Sequence, residues 1–288
     1  MNTKIRVAIL LLTSLLVGCS NHNTANIEKT IKYRERNAVS SISLDNVKGN
    51  VRIIGWGEDF IEINTTKRLM FGLQSDLNLF DTVFFRDNSN ELIIRAKIPA
   101  RLNARIDLVI YVPFVLSEIS ISQEVGNISV EKYLGSLNIT SESGSHRIEF
   151  MGQMLRMNCS KSHVDLDIVG YSPADIVLSG DGGEYNVRIA KVVGQTYIDV
   201  SGHQTNVGIN ISDQISHSLF LKSNEKRIHL RYKPDDMQIF SGTNMAIRGS
   251  VGDTPQDCII DVNANGGRII MQRGKNMSHS GDMTQEIK

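Results

Sequence analysis

The chain has 288 residues, 41% of them apolar, which suffices for one large domain or two ordinary ones with a sizeable core. Its 31 basic and 31 acidic residues balance, so the charge pattern speaks against nucleic acid as a partner. Proline is scarce at 5 residues and glycine is frequent at 23, a composition typical of a chain that turns often, and it favours an all-β fold.

Residues 1–18 have the shape of a secretory signal peptide. Lys4 and Arg6 precede an apolar run that is too short for a transmembrane span. Residues 20–27 carry no apolar pattern, so residues 19–27 are predicted to form a tether between the signal and the folded part.

The end of the signal resembles the bacterial lipobox. Leu16, Val17 and Gly18 precede Cys19, the arrangement in which a lipoprotein signal peptidase cleaves and the cysteine thiol receives a diacylglycerol. The resemblance implies a membrane contact through an N-terminal lipid on Cys19, since several acyl chains hold far better than one. Ser20, rather than an aspartate, follows the cysteine, which by the enterobacterial sorting rules implies the outer membrane. An ordinary signal peptide with an incidental cysteine is the alternative.

Short runs that alternate apolar and polar residues follow one another through residues 28–274, which we predict to be one domain. Period-two alternation over four to six residues indicates half-buried strands, and glycine, serine and asparagine stand between the runs as turn signals. Every second strand, counted from Ile128, starts about twenty residues after the last. The predicted starts are Ile128, Ile148, Val164, Val187, Val207 and Ile228.

A unit of two short strands and two turns is what a β-solenoid needs, because one coil alone cannot bury its apolar face. We therefore expect an all-β fold, a single-stranded right-handed parallel β-helix with coils of about 20 residues. The structural alternative is an antiparallel β-sandwich. Residues 28–46 are expected to cover the N-terminal end of the stack. From about Tyr171 the phase of the repeat loosens. Residues 275–288 are too polar for a core and are predicted to form a flexible tail.

Three stretches carry a resemblance to a known family: Leu44 to Lys67, Ile106 to Pro113, and the glycine-strand phrases from Gly126 to Phe150. They look like the bacterial β-strand-repeat family of unknown function, whose members are described as adhesins and are similar to the head domains of autotransporter adhesins. The resemblance covers roughly residues 41–274. It implies a solenoid fold and an adhesin-like role, and it supplies no catalytic residue. No cofactor is predicted.

Cysteine and histidine side chains give no predicted site. Cys159 and Cys258 lie in phase with inward apolar residues and several coils apart, so we expect two buried free thiols and no disulfide. His146, His163 and His203 all lie at corners but have different offsets from their strands, which favours surface histidines over a metal site.

Acidic and glycine-rich motifs are also expected to be structural. Two acidic pairs, Asp165 with Asp167 and Asp235 with Asp236, could resemble the carboxylate pair of a glycosidase or lyase. Asp165 and Asp167 alternate with apolar neighbours and should face solvent, so a structural role is favoured over a catalytic one. The stretch Gly180 to Asn186 lacks the lysine of a phosphate-binding loop and the nonapeptide of calcium-binding rolls, and is predicted to be a turn.

Trp56 is the only tryptophan in the sequence and lies between Gly55 and Gly57. It is a candidate surface contact, for instance by stacking on a sugar ring, but packing at the N-terminal end of the stack is the favoured interpretation.

These observations predict a non-enzymatic cell-envelope lipoprotein that presents a binding surface to a protein or polysaccharide partner. Two other functions stay open: a carbohydrate-active β-helix that binds or cleaves polysaccharide, and an envelope-stress or assembly factor. The periplasmic or cell-surface position of the protein does not follow from the sequence.

Overall fold

The computed structural model describes residues 27–35, 39–70, 74–86, 90–114, 116–170, 172–224, 228–232, 238–242 and 245–274. The predicted signal peptide, the lipobox residues Leu16, Val17 and Gly18, Cys19 and the tail 275–288 lie outside these residues. The described part is all-β, apart from two 3-10 turns at Gln74–Leu79 and Pro255–Asp257. No helix within it is long and apolar enough to cross a membrane.

Twenty-two strands are described, and together they form one connected mixed sheet. The first eleven are β1 (Ile27–Glu35), β2 (Ser41–Lys48), β3 (Val51–Trp56), β4 (Ile61–Leu69), β5 (Asp81–Arg86), β6 (Glu91–Lys97), β7 (Ala104–Pro113), β8 (Glu118–Val125), β9 (Ile128–Tyr133), β10 (Ser136–Phe150) and β11 (Met154–Cys159). The others are β12 (Ser162–Val169), β13 (Ala174–Asp181), β14 (Glu184–Lys191), β15 (Thr196–His203), β16 (Asn206–Ser212), β17 (His217–Lys222), β18 (Ile228–Arg231), β19 (Gln238–Gly242), β20 (Ala246–Val251), β21 (Cys258–Asn265) and β22 (Ile269–Gly274).

The strand pairings divide this sheet into two strips that share β10. Strip 1 contains, in spatial order, β5, β6, β2, β8, the first half of β10, β11, β13, β15, β21, β17, β20 and β19. Strip 2 contains β1, β4, β7, β3, β9, the second half of β10, β12, β14, β16, β22 and β18. The inward side chains of both strips form one hydrophobic core.

Alternation of buried and exposed residues agrees with the sequence pattern. In β7 the inward residues Ile106, Leu108 and Ile110 are at most 1% exposed, and their neighbours point outward. Each such aliphatic side chain contributes roughly 2 kcal/mol by burial, whereas an exposed ion pair contributes about 0.5 kcal/mol. The core therefore holds the two strips together.

Parallel and antiparallel pairs occupy different parts of the molecule. From β8 through β16 every described pairing is parallel. The antiparallel pairs lie towards the two ends, between β1, β4 and β7, between β5 and β6, and between β17, β20 and β19. Neither a purely parallel β-helix nor an antiparallel sandwich has this mixture.

The order of neighbours differs from the predicted sequential stacking at both ends. Strands β2 and β3 lie between β6 and β7 on one side and β8 and β9 on the other. Strands β21 and β22 lie between β15 and β16 on one side and β17 and β18 on the other. The expected step from Val207 to Ile228 is wrong, because Val207 pairs with Ile269, and Ile269 pairs with Ile228.

Two of the predicted strand starts also need correction. The residues level with Ile128, Val164 and Val207 are His146 and Tyr185, so the predicted starts Ile148 and Val187 are each two residues out of register. The loosening expected from about Tyr171 onward is found further along the chain: pairing continues through β12, β14 and β16 with one register shift after Ile168, and the order of strands changes beyond β16. Of residues 28–46, β1 does form the edge of strip 2, whereas β2 lies inside strip 1.

Candidate functional site

The outward side chains of strip 1 form rows that run across the strands, because the parallel pairs are in register. One row consists of small neutral polar side chains on six adjacent strands, and we call it the hydroxyl–amide row. Its members are Ser122, Thr140, Asn158, Ser179, Ser201 and Asn263. With strands about 4.8 Å apart, the row is about 24 Å long.

Most of the hydrogen-bonding capacity of this row is unused within the protein. The hydroxyl of Ser179 donates to the carbonyl oxygen of Met157 at 3.3 Å. Within the described residues, the other five side chains make no hydrogen bond to another residue. Five neighbouring side chains thus keep donors and acceptors that point to solvent.

A shallow depression of about 370 Å³ lies at one end of this row. It forms because four adjacent strands, β2, β6, β8 and β10, carry mostly small outward side chains there. Its polar lining includes Ser43, Asp45, Ser120, Asn138 and Arg95, together with the first two members of the row. The floor of the depression is therefore a sheet surface rich in hydroxyl and amide groups.

Aromatic side chains lie at both ends of the outer face of strip 1. Phe85, on the edge strand β5, is 38% exposed, and the guanidinium of Arg95 lies 5.1 Å from the centre of its ring. Towards the other end, Tyr197 is 38% exposed and Phe220 is 45% exposed. Aromatic faces of this kind are suited to stacking on an apolar face of a ligand.

Three carboxyl groups accompany Tyr197 on the same face. Asp175 is the register partner of Tyr197, and Asp199 is the partner of Asp261 on the adjacent strand. Partial burial and then the charge of Asp175 raise the pKa of Asp199, and partial burial and then the charge of Asp199 raise the pKa of Asp261. Charges of both signs occur at both ends of the face, since Lys222 is level with Asn263 at this end, and Asp45 is level with Arg95 and Ser122 at the other.

The outer face of strip 2 differs because its charged groups pair with one another. Arg52 donates two hydrogen bonds to Glu131, each at 3.1 Å, and Arg188 lies 2.7 Å from Asp167. The imidazole of His163 lies 3.2 Å from Asp165 on its own strand and 3.3 Å from Glu184 on the next. Polar groups on this face are thus largely satisfied within the protein.

The structure places the predicted histidines and carboxylates as follows. His146 is fully buried between Ile128 and Val164, so the prediction of a surface position is wrong for this residue. His163 and His203 lie apart from it on outward positions, and the described residues contain no group of three His, Cys, Asp or Glu side chains placed to hold a metal ion. Asp165 and Asp167 face outward as predicted, whereas Asp235 and Asp236 lie outside the described residues.

Other predicted features can be located as well. Cys159 and Cys258 are buried free thiols, as predicted, and burial raises the pKa of each to about 12. The stretch Gly180 to Asn186 contains the turn between β13 and β14, also as predicted.

Trp56 is half-buried and is used largely inside the protein. Its indole N–H donates to the carbonyl oxygen of Phe60 at 3.0 Å, and its ring lies 4.8 Å from the ring of Phe60 and 5.0 Å from that of Tyr111. These contacts agree with the packing role favoured from the sequence. A surface contact through the exposed edge of Trp56 stays a prediction.

Sequence reasoning did not find the hydroxyl–amide row. Alternation alone indicates that Asn138 and Thr140 face outward, and both are exposed. It does not indicate which side chains lie level with them on the adjacent strands, which depends on the pairing. The available signal was the recurrence of serine, threonine and asparagine at outward positions of successive strands.

Comparison with known proteins adds a limited likeness. No protein-family model and no curated protein matches the chain. The crystal structure of a proposed cell adhesion protein from Clostridium sporogenes is similar at 12% identity and a TM-score of 0.41, covering 86% of this chain and 100% of that one. A proposed adhesin from Bacteroides fragilis gives 12% identity and a TM-score of 0.39, with 85% and 97% covered. A proposed adhesin from Parabacteroides merdae is 11% identical with a TM-score of 0.33, and the match covers 85% of this chain and 95% of that one. Because these scores are low, we infer neither fold nor function from them.

Proposed function

We propose that this protein is a non-enzymatic lipoprotein of the bacterial cell envelope that presents the outer face of strip 1 to a partner, in the manner of an adhesin. The observation that carries this proposal is the difference between the two outer faces. Strip 2 pairs its polar groups internally, whereas the hydroxyl–amide row of strip 1 leaves five side chains without partners among the described residues. Unpaired polar groups in a regular array are suited to binding a ligand.

The architecture we propose is a right-handed β-solenoid in the middle of the chain, closed by antiparallel strands at both ends. From β8 to β16 the chain passes from strip 1 to strip 2 and returns to pair in parallel with its own earlier strand. Parallel crossovers are right-handed in nearly all proteins. Such a stack is stiff, because each strand is paired on both sides and the core is continuous, and it would hold the row in a fixed geometry.

The anchor in this proposal is a lipid on Cys19, inserted in the outer membrane. Between Cys19 and the start of β1 at Ile27 there are few residues, enough for an extended span of at most about 27 Å. The N-terminal end of the stack would therefore lie close to the membrane, and the row would extend away from it.

A cell-based experiment tests the role of the binding face. The gene is deleted and then restored as wild type, as Thr140→Arg with Ser201→Arg, or as a control with Ser145→Arg and Asn186→Arg on strip 2. Each variant places two long side chains at outward positions with no arginine level with them, and both proteins are first compared with wild type by thermal unfolding. We expect the deletion to weaken cell attachment, and wild type and control, but not the strip 1 variant, to restore it.

The opposite results would overturn this proposal. If deletion changes neither attachment nor the integrity of the envelope, the protein is not a binding lipoprotein of the kind proposed. If the strip 1 variant restores attachment as well as wild type does, the binding face lies elsewhere.

The anchor gives a separate prediction. We expect Cys19→Ser to abolish labelling by radioactive palmitate, because the thiol that receives the lipid is lost. Ser20→Ala is the matched control and should be labelled and sedimented like wild type. A Cys19→Ser protein that is labelled by palmitate as strongly as wild type would contradict the lipid anchor.

A further inference from the structure

We propose that the outer face of strip 1 binds a neutral polysaccharide chain that lies across the strands, along the hydroxyl–amide row. This inference rests on the proposed function, since it names the class of ligand for the same face. It depends on four properties of the face: its hydrogen-bonding groups, its charge, its direction and the position of its aromatic rings.

The hydrogen-bonding groups of the row match those of a sugar. Serine and threonine hydroxyls each donate one hydrogen bond and accept others, and an asparagine amide both donates and accepts. Sugar hydroxyls also both donate and accept, so a polyhydroxylated chain can form a hydrogen bond with each member of the row, either as donor or as acceptor. Five of the six members have no side-chain hydrogen bond within the described residues that such a ligand would have to break.

The charges on the face favour a neutral polymer over a charged one. Charges of both signs surround the row: Asp45 and Arg95 continue it beyond Ser122, Lys222 continues it beyond Asn263, and Arg156, Asp175, Asp199 and Asp261 lie on neighbouring outward positions. A polyanion along the whole row would be repelled by the carboxylates, and a polycation would be repelled by the guanidinium groups. A neutral chain is repelled by neither kind of group, and both carboxylates and guanidinium groups can hydrogen-bond to its hydroxyls.

The geometry favours a polysaccharide over an extended peptide. Peptides that add to sheets do so at an edge, where backbone N–H and C=O groups are unpaired. The row lies on the face of strands β8 to β21, each paired on both sides, so only side chains are offered there. The repeat of about 4.8 Å along the row suits a polymer of regular, similarly spaced units.

Exposed rings complete the face as stacking platforms. Tyr197 lies on β15 two residues before Asp199, and Phe220 is level with Asp261 on the next strand. The apolar face of a pyranose ring can pack on such exposed rings while its hydroxyl groups bond to the neighbouring carboxylates. At the other end the guanidinium of Arg95 already lies over the ring of Phe85, so the stacking platforms are Tyr197 and Phe220.

Affinity electrophoresis of the detergent-solubilised full chain tests this inference. The gels contain a neutral polymer (laminarin, hydroxyethyl cellulose, galactomannan or dextran), an acidic one (polygalacturonate) or a basic one (chitosan). We expect retardation by at least one neutral polymer and by neither charged polymer. Retardation by a charged polymer alone, or by none of the six, would overturn the inference.

A pair of matched triple variants tests the position of the site. Ser122→Ala, Thr140→Val and Ser201→Ala together remove three hydroxyls from the row, and affinity for the retarding polymer should fall at least about tenfold. The control removes three hydroxyls from strip 2, by Ser129→Ala, Ser145→Ala and Ser212→Ala, and should bind like wild type. Both proteins are first compared with wild type by thermal unfolding. Equal binding by the two triple variants would contradict the site.

The two proposals fail in distinguishable ways. If cell attachment depends on Thr140 and Ser201 but no neutral polymer retards the protein, the binding face stands and the class of ligand is wrong. If the face variant attaches normally, both proposals fail. Release of new reducing ends from a bound neutral polymer would support the ligand class while overturning the non-enzymatic part of the proposed function.

Discussion

Gly126→Ala is expected to lower the free energy of unfolding by about 4 kcal/mol, or to prevent folding. Gly126 has a φ of +142° at a corner between the strips, a conformation that residues with a Cβ rarely adopt. A Cβ there would overlap the backbone carbonyl oxygen of Gly49 in the adjacent layer. Neither backbone can move aside, because the amide of Gly126 donates to Ser143 and the amide of Gly49 donates to Val125.

The control for this substitution is Gly57→Ala. A Cβ at Gly57 would touch only an atom of the Phe114 ring, at 3.9 Å, which is ordinary van der Waals contact. Urea unfolding followed by circular dichroism should therefore give a midpoint for Gly57→Ala close to that of wild type. A loss below about 1 kcal/mol for Gly126→Ala would contradict the close stacking of glycine corners described for Gly49 and Gly126.

Acid is expected to destabilise the protein between about pH 6.5 and pH 4, through two buried histidines. Burial lowers the pKa of His146 to about 4 and also lowers the pKa of His217 to about 4. In this window the unfolded chain takes up two protons that the folded chain does not, so stability falls as the pH falls. From pH 7 to pH 4.5 the two groups together should remove about 5 kcal/mol of the free energy of unfolding.

The surroundings of the two histidines are different, which allows a test of this account. The ring nitrogens of His217 lie 3.1 Å from the carbonyl oxygen of Ile215 and 3.0 Å from the hydroxyl of Tyr232. Neither ring nitrogen of His146 has a hydrogen-bond partner in the described part of the chain. His146 also occupies a column of aliphatic residues, since it is level with Ile128 and Val164.

His146→Leu is therefore expected to stabilise the protein at pH 7 by about 1 to 2 kcal/mol, because it replaces an unpaired buried polar group with an apolar one. The same substitution should remove about half of the acid sensitivity, leaving the part that comes from His217. Thermal unfolding at several pH values from 7 to 4.5 measures both effects. His203→Gln, at an exposed position, is the control and should change neither. A His146→Leu protein that is less stable than wild type, or equally sensitive to acid, would contradict this account.

Much of the local structure could be predicted from the sequence. Alternation placed Ile139, Val164 and Leu166 inside and Asn138, Thr140 and Asp165 outside, and each is found there. The buried state of Cys159 and Cys258 followed from the same alternation, and their free state followed from their separation by several coils. The corner at Gly126 was also indicated, because glycine between two strand patterns marks a turn.

The site and the ends of the fold could not be predicted in this way. His146 was predicted to lie at a surface corner because polar residues are typical of turns, but its pairing with Ile128 places it in the core. The hydroxyl–amide row was missed because its members lie about twenty or more residues apart and become neighbours only by pairing.

The sequence by itself determined the strands, the inward and outward side of each, and the sharp glycine corners. These depend on the period-two geometry of the strand and on the conformational freedom of single residues, both of which are local. Only the tertiary structure decided which strands lie side by side, including the position of β21 between β15 and β17. That choice depends on the burial and pairing of distant segments, and many registers satisfy the same local alternation. The row of polar groups on strip 1 is a product of that choice.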